Sequence, residues 1–398
     1  PIREDEAAMY DSVASSWVPL WLAAGISTNN QPGHSALVWA GHFLWGDSVA
    51  GMRLFSPVFW GLSVVVAGRL HAALVGRRSL ALVALVFALP PVLTQGILAR
   101  GHILTVFLVL LAALVAARSE GTGDAVRAGV VTGFALWVVP TAILALPVLL
   151  AVVAWRARDR RDGAARALGV LASIPVAALL YLPMHLGTGL GALRTAQMAA
   201  DEPDLPSGTA WLAQMGGPDG LFHAWYVPPL LALGAFAAAT RGGRLWLLAL
   251  PLLVPLVAAL LEPSPLPYSL LFLAPLLVLT WSAVRRPWQR YAYGVLAVAA
   301  AGRIAFSGTG WLDPKVAGAA DSAREAARLL VDRPPAVVQT ATHDSEYHVL
   351  RFYLRSYGWA GRVEVADSLT GPWVYEVNMP ERVGPGLRPT GIEGLYRE

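Results

Sequence analysis

Apolar positions in this chain neither alternate nor keep to one helical face, but run on for whole helix lengths between short polar breaks. Such runs lie near residues 50–68, 79–96, 102–117, 125–139, 141–155, 164–186, 224–240, 244–261, 266–284 and 289–307. A hydrocarbon core about 30 Å thick takes roughly 20 residues of helix, so these runs predict about ten membrane spans. The fourth and fifth are short and meet at Val139-Pro140-Thr141, a junction that predicts a broken hairpin not fully crossing the bilayer. After residue 308 the pattern changes. DSAREAARLLVD has helical spacing with Asp321 as its N-cap, PAVVQT reads as a short buried strand, SEYHVLRFYLRSYG as an amphipathic helix and GRVEVAD as another strand. The fold expected is an all-α polytopic membrane protein ending in a small α/β domain. Its parts are a first loop with juxtamembrane helices over 1–49, a multi-span domain over 50–308 and a soluble domain over 309–398.

Composition agrees with the pattern. The 398 residues are 56% hydrophobic and only 14% charged, with a mean hydropathy of +0.54, too apolar for a water-soluble globule. Cysteine is absent, so neither disulfides nor thiolate metal sites exist. The net charge of +4 comes almost entirely from arginines in short interhelical loops, which marks topology rather than a nucleic-acid surface. One set of loops holds Arg69, Arg77, Arg78, Arg118, Arg127, Arg156, Arg158, Arg160, Arg161, Arg166, Arg241, Arg244, Arg285, Arg286 and Arg290; the other has little beyond Arg3, Arg100 and Arg194. By the positive-inside rule the first set is cytoplasmic. The segment before residue 50, the Arg100-Gly101-His102 turn, the loop over 187–223 and the C-terminal domain then share the outer face. The chain opens at Pro1 with no apolar run ahead of its acids, and so reads as a fragment lacking an N-terminal helix. Its Arg and Ala bias fits a bacterial inner membrane protein.

Chemistry-bearing residues gather on that outer face. Asp5 and Glu6, flanked by Arg3 and Glu4, stand before the first span as either a solvated loop or a catalytic pair. Arg53 lies just inside the first span, as a phosphate clamp, as a snorkelling side chain or as the partner of Asp47. Arg100 and His102 open a helix from an outer turn, suited to phosphate or to interfacial anchoring. His34 and His42 stand eight apart, as capping or headgroup contacts or as metal ligands. The loop from His185 to His223 carries Arg194, Asp201, Glu202 and Asp204, and is either a lid or a connector. Trp17, Trp21, Trp39 and Trp45 fit an interfacial aromatic belt. His343, Asp344 and Glu346 fit ordinary capping of the helix that follows them.

The order of these segments resembles the GT-C glycosyltransferases that use polyprenyl-phosphate sugars, among them the dolichyl-phosphate-mannose protein mannosyltransferases and the lipid A aminoarabinose transferases. The matching segments are REDEA at Arg3–Ala7, NNQPGHSALVWAGHFLWGDSVAGMRLFSP at Asn29–Pro57, LARGHILTVFLVLLAAL at Leu98–Leu114 and PYSLLFLAPLLVL at Pro267–Leu279. Gln31 stands where the family has His or Lys before the proline, with His34 two positions beyond it, and His102 stands where an aromatic is common. The resemblance implies transfer of a sugar from a polyprenyl-phosphate donor to an extracytoplasmic lipid, polysaccharide or protein. It implies Asp5 as general base, with Glu6 orienting it or holding a divalent metal. Arg53, Arg100 and His102 would bind the donor phosphate, and Gln31, His34, Arg194 and His223 would form the substrate loop. Membrane lipids are the remaining partners, and nucleic acid is not one. Two other readings stay open: a transporter or flippase of a lipid-linked glycan, which the scarcity of mid-span charges disfavours, and a non-catalytic relative, which the departure at Gln31 allows.

Overall fold

The structure is a computed structural model that describes residues 10, 32–75, 83, 87, 101–187, 314–332, 337–340, 345–359, 361–366, 369, 371–375, 383–384, 386–392 and 395–397. They form a mostly helical protein with a small sheet, divided into two compact units. A helical unit holds Trp21–Ala36 and Phe55–Phe306; a sheet unit holds Pro1–Leu20, Leu37–Leu54 and Ser307–Glu398. The divisions fall inside helix α1 (Pro32–Trp45) and between α2 (Val49–Arg53) and α3 (Phe55–Val75).

In the helical unit, α3 is followed by α4 (His102–Arg118), α5 (Thr122–Val138), a 3-10 turn (Pro140–Ala145), α6 (Leu146–Arg156), α7 (Arg160–Leu171) and α8 (Ser173–Gly187). Helix α4 packs against α3, α5 and α6, and α5 packs against both α7 and α8. Their inward faces build one apolar cluster running through Leu70, Val109, Leu110, Ala113, Ala128, Ala135, Leu149 and Val152. The outward faces are apolar too. Val58, Leu62 and Val65 on α3, and Ile174, Leu179 and Leu182 on α8, are large hydrophobic side chains left exposed at helical spacing. Water would disfavour such stripes, whereas lipid tails would not. Among the described residues the runs Val49–Leu74 and Arg160–Leu182 are long and apolar enough to cross a membrane, and His102–Arg118 and Ala142–Arg156 are shorter apolar helices.

The expected break between the fourth and fifth runs is present. Val139 leaves the helix with extended backbone (φ −146°, ψ 116°), and Pro140 opens the 3-10 turn at a position where its missing N–H costs nothing. The sixth run begins earlier than the hydropathy suggested, at Arg160. Asp159 caps that end, its carboxylate accepting the Asp162 N–H at 2.8 Å, and the helix pauses at Ala172 before α8. The second run is described only at Val83 and Phe87, and the four expected runs beyond residue 188 lie outside the described residues.

The sheet unit contains α9 (Pro314–Asp332), β1 (Val337–Thr340), α10 (Ser345–Ser356), β2 (Arg362–Val365), β3 (Trp373–Tyr375), β4 (Arg388–Pro389) and β5 (Leu395–Arg397). The strand order is β2-β1-β3-β5-β4. Strand β1 pairs in parallel with β2 (Val338 opposite Val363) and with β3 (Gln339 opposite Val374), while β5 runs antiparallel to β3 and β4. Thus β1-α10-β2 is a βαβ unit with α9 packed on α10. Ala323, Ala326, Ala327 and Leu330 form the buried stripe of α9, and Val349, Leu350, Phe352, Tyr353 and Leu354 are buried on α10. Asp321 is not an N-cap, because α9 already starts at Pro314 and carries Asp321 in its interior. The GRVEVAD strand is an edge strand, exposed at Arg362 and Val365.

Candidate functional site

One group of candidates belongs to one end of the helical unit. Helices α4 and α5 are joined by only three residues, 119–121, and pack side by side, so they form an antiparallel hairpin. His102, the first residue of α4, therefore lies at the same end as Val138, the last residue of α5. Gly33 reaches that end as well. An added Cβ there would lie 2.8 Å from both Trp137 Cε3 and Val138 Cγ2, so the start of α1 sits tightly on the end of α5. His34 is the next residue. It and His102 are both buried, each only 3% exposed. Tyr181 of α8 closes the same end by donating its hydroxyl to the Leu136 carbonyl at 3.1 Å.

The opposite end carries arginines. Arg166, 2% exposed, donates Nε to Asp162 Oδ1 at 2.8 Å and one terminal nitrogen to the Ser119 carbonyl at 2.9 Å and the Ser119 Oγ at 3.0 Å. Its other terminal nitrogen reaches the Glu120 carbonyl at 3.3 Å. Asp162 is itself fixed by the Arg158 N–H at 2.9 Å. The guanidinium thus satisfies backbone oxygens left open at the end of α4 and clasps two of the Arg-rich loops together. The sequence counts Arg166 as a solvated loop charge; the fold makes it a buried fastening.

A third cluster lies in the sheet unit. Helix α1 ends at Trp45, and Gly46, with φ +65°, donates its N–H to the His42 carbonyl at 2.7 Å in a left-handed cap. That turn brings Asp47 back beside His42, with Oδ1 3.1 Å from Nδ1. Tyr10 is fully buried, and its hydroxyl lies 2.6 Å from Asp47 Oδ1 and 2.6 Å from His42 Nδ1. Its ring meets Phe352 of α10 edge-on at 5.1 Å. A carboxylate only accepts, so the phenol donates to Asp47 and the His42 Nδ1–H donates into the pair. Burial first, and then the hydrogen bond donated to Asp47, push the Tyr10 hydroxyl well above the ordinary tyrosine range. Sequence reasoning missed Tyr10, which sits 32 to 37 positions from its partners and belongs to no local motif.

Arg53 closes α2, whose N-cap Ser48 accepts the Gly51 N–H at 3.0 Å. Asp5, Glu6, Gln31, Arg100, Arg194 and His223 lie outside the described residues. His34 and His42 do not share an ion: eight residues of helix separate them by roughly 12 Å, and His42 is held by Tyr10 and Asp47. Among the described residues no group of three or more His, Asp or Glu side chains is placed to hold a metal. His42 and Asp47 turn their facing atoms on each other and on Tyr10 rather than around a cation, so this donor set does not fit one.

No family model and no curated protein matches the chain. Among solved structures it is similar to a crystal structure of the Archaeoglobus fulgidus oligosaccharyltransferase in complex with Zn and sulfate, at 10% identity and a TM-score of 0.45, over 95% of this chain and 68% of the other. A likeness at that score fixes neither the fold nor the activity.

Proposed function

We propose that the chain is a polytopic membrane glycosyltransferase of GT-C type that transfers a sugar from polyprenyl phosphate to an extracytoplasmic acceptor, with Asp5 as general base. The observation that carries this reading is the order of three segments: the Asp5-Glu6 pair, Asn29–Pro57 with its GDS turn, and Leu98–Leu114 opening at His102. Two of them contribute the buried histidines His34 and His102 to one end of the helical unit, away from the arginine-clasped loops. The apolar outer stripes of α3 and α8 support a site built at a membrane face. The donor lipid cannot leave the bilayer, so the transferase must bring its base and its phosphate contacts to the surface.

The chemistry divides among the side chains as follows. Displacement at the anomeric carbon needs a base to take the acceptor hydroxyl proton and positive charge to meet the departing phosphate. Asp5 is the base and Glu6 orients it; Arg53, Arg100 and His102 face the phosphate; Gln31, His34, Arg194 and His223 belong to the substrate loop. The active face and the C-terminal domain are assigned to the outside of a bacterial inner membrane.

Asp5→Asn should lower transfer by about a hundredfold or more while donor binding persists, since a positioned base supplies about 10² to 10⁴ in rate. Glu6→Gln should cost less. The measurement is transfer from labelled polyprenyl-phosphate sugars by the purified full-length protein, and wild-type turnover by Asp5→Asn would remove the assignment.

A further inference from the structure

The C-terminal unit contains a cavity of about 360 Å³ between α10 and β2 that the transferase reading does not use. Its shape follows from how α10 ends. Gly358, with φ +77°, donates to the Arg355 carbonyl and Trp359 N–H donates to the Leu354 carbonyl, both at 2.9 Å. This paired cap reverses the chain and lays Trp359 back against the helix. Gly361 then packs directly on the indole, where an added Cβ would overlap the ring. The indole becomes one wall. Arg351 and Arg355, one turn apart on α10, and Arg362 on β2 supply three guanidinium groups, and Tyr347 lines the cavity one turn before Arg351. Arg351 is aligned by a 3.0 Å hydrogen bond to the Tyr347 hydroxyl and sits over that ring at 5.8 Å. Among the described residues lining the cavity there is no carboxylate; Glu364, which pairs with Arg362 Nε at 3.2 Å, is not part of the lining.

We propose that this cavity is a binding site for an anionic sugar, a single hexose unit bearing a phosphate or a carboxylate. Three planar cationic forks suit the paired oxygens of either anion, and the indole offers an apolar wall to the C–H side of a sugar ring. The volume lies at the small end of ligand pockets, which suits one sugar unit rather than a chain. The site stands apart from the transferase reading, because binding needs no turnover.

The test is calorimetric titration of the full-length protein in detergent with glucose 6-phosphate, glucuronate, glucose and inorganic phosphate. Both anionic sugars should bind, and glucose and inorganic phosphate should each bind about tenfold more weakly or worse, the size of one lost charged hydrogen bond. Glucose 6-phosphate and glucuronate together separate the two sources of charge; either one binding in this way supports the site. Arg351→Gln and Gly361→Val should each weaken binding about tenfold, the second by pushing the indole across the cavity. Arg351→Lys keeps the charge, loses the fork and should bind more weakly than wild type, which guards against a folding defect in the glutamine variant. Glucose binding as tightly as the anionic sugars, phosphate binding as tightly as glucose 6-phosphate, no binding by any probe, or unchanged affinity in all three cavity variants would each overturn the proposal.

Discussion

At the scale of single residues, Tyr10 shows how much a hydroxyl can hold. Tyr10→Phe keeps the edge-on contact with Phe352 but leaves Asp47 and His42 without the bridging oxygen, and should cost about 1 kcal/mol because both partners remain partly open to water. Its effect should depend on pH. An unfolded tyrosine ionises at about pH 10, and the folded Tyr10 above its ordinary value. The hydroxyl's contribution is therefore complete below the unfolded value and drains away as pH climbs past it. Thermal unfolding between about pH 8 and pH 11 should fall more steeply for wild type than for Tyr10→Phe; parallel curves would sink the assignment. None of this was legible in the sequence, because a contact across 37 positions has no local signature. Arg166 was misjudged for a related reason. Arg160 and Arg161 stand exposed at the start of the same helix, and only the fold reveals that position 166 faces inward.

At the scale of elements, the close approach of α5 to α7 and α8 rests on small residues. Ala125, Gly129 and Gly133 on one side meet Gly169 and Ser173 on the other, each set spaced by four. An added Cβ at Gly129 would fall on the carbonyl oxygens of Gly169 and Val170, the latter at 2.8 Å, so the backbones touch without intervening side chains. Gly129→Ala should destabilise by about 1 to 3 kcal/mol, the usual size of overpacking. Gly123→Ala on the same helix meets nothing within 4 Å and should stabilise by about 0.5 kcal/mol instead. Melting of the two variants in one detergent checks the opposite signs. The positions of these helices could be read in advance, since unbroken apolar runs and a Val-Pro junction are local properties. Strands β3, β4 and β5 could not. They are only two or three residues long, and their pairing partners rather than their composition make them strands.

At the scale of the whole molecule, the alternation of arginine-rich and arginine-poor loops predicts an orientation, and Arg166 joins two segments expected on one side. With no cysteine in the sequence, single reporters are clean. Ser119 is a poor place for one, being buried and bonded to Arg166, whereas Glu120 and Arg388 are exposed. An impermeant thiol reagent applied to intact cells should modify Arg388→Cys and spare Glu120→Cys until the membrane is opened. Equal modification of both in intact cells would reverse the orientation and every assignment drawn from it. The same clasp also sets a timetable. Ser119 precedes Arg166 by 47 residues, and a ribosome adding about 5 to 20 residues per second delivers the arginine roughly 2 to 9 s later. For the last 28 residues of that interval, once Val138 is made, the α4–α5 hairpin is complete with its connecting turn unfastened. Only when α7 follows does the Arg166 guanidinium fasten that turn, so the last-made of the three helices is the one that ties the other two together.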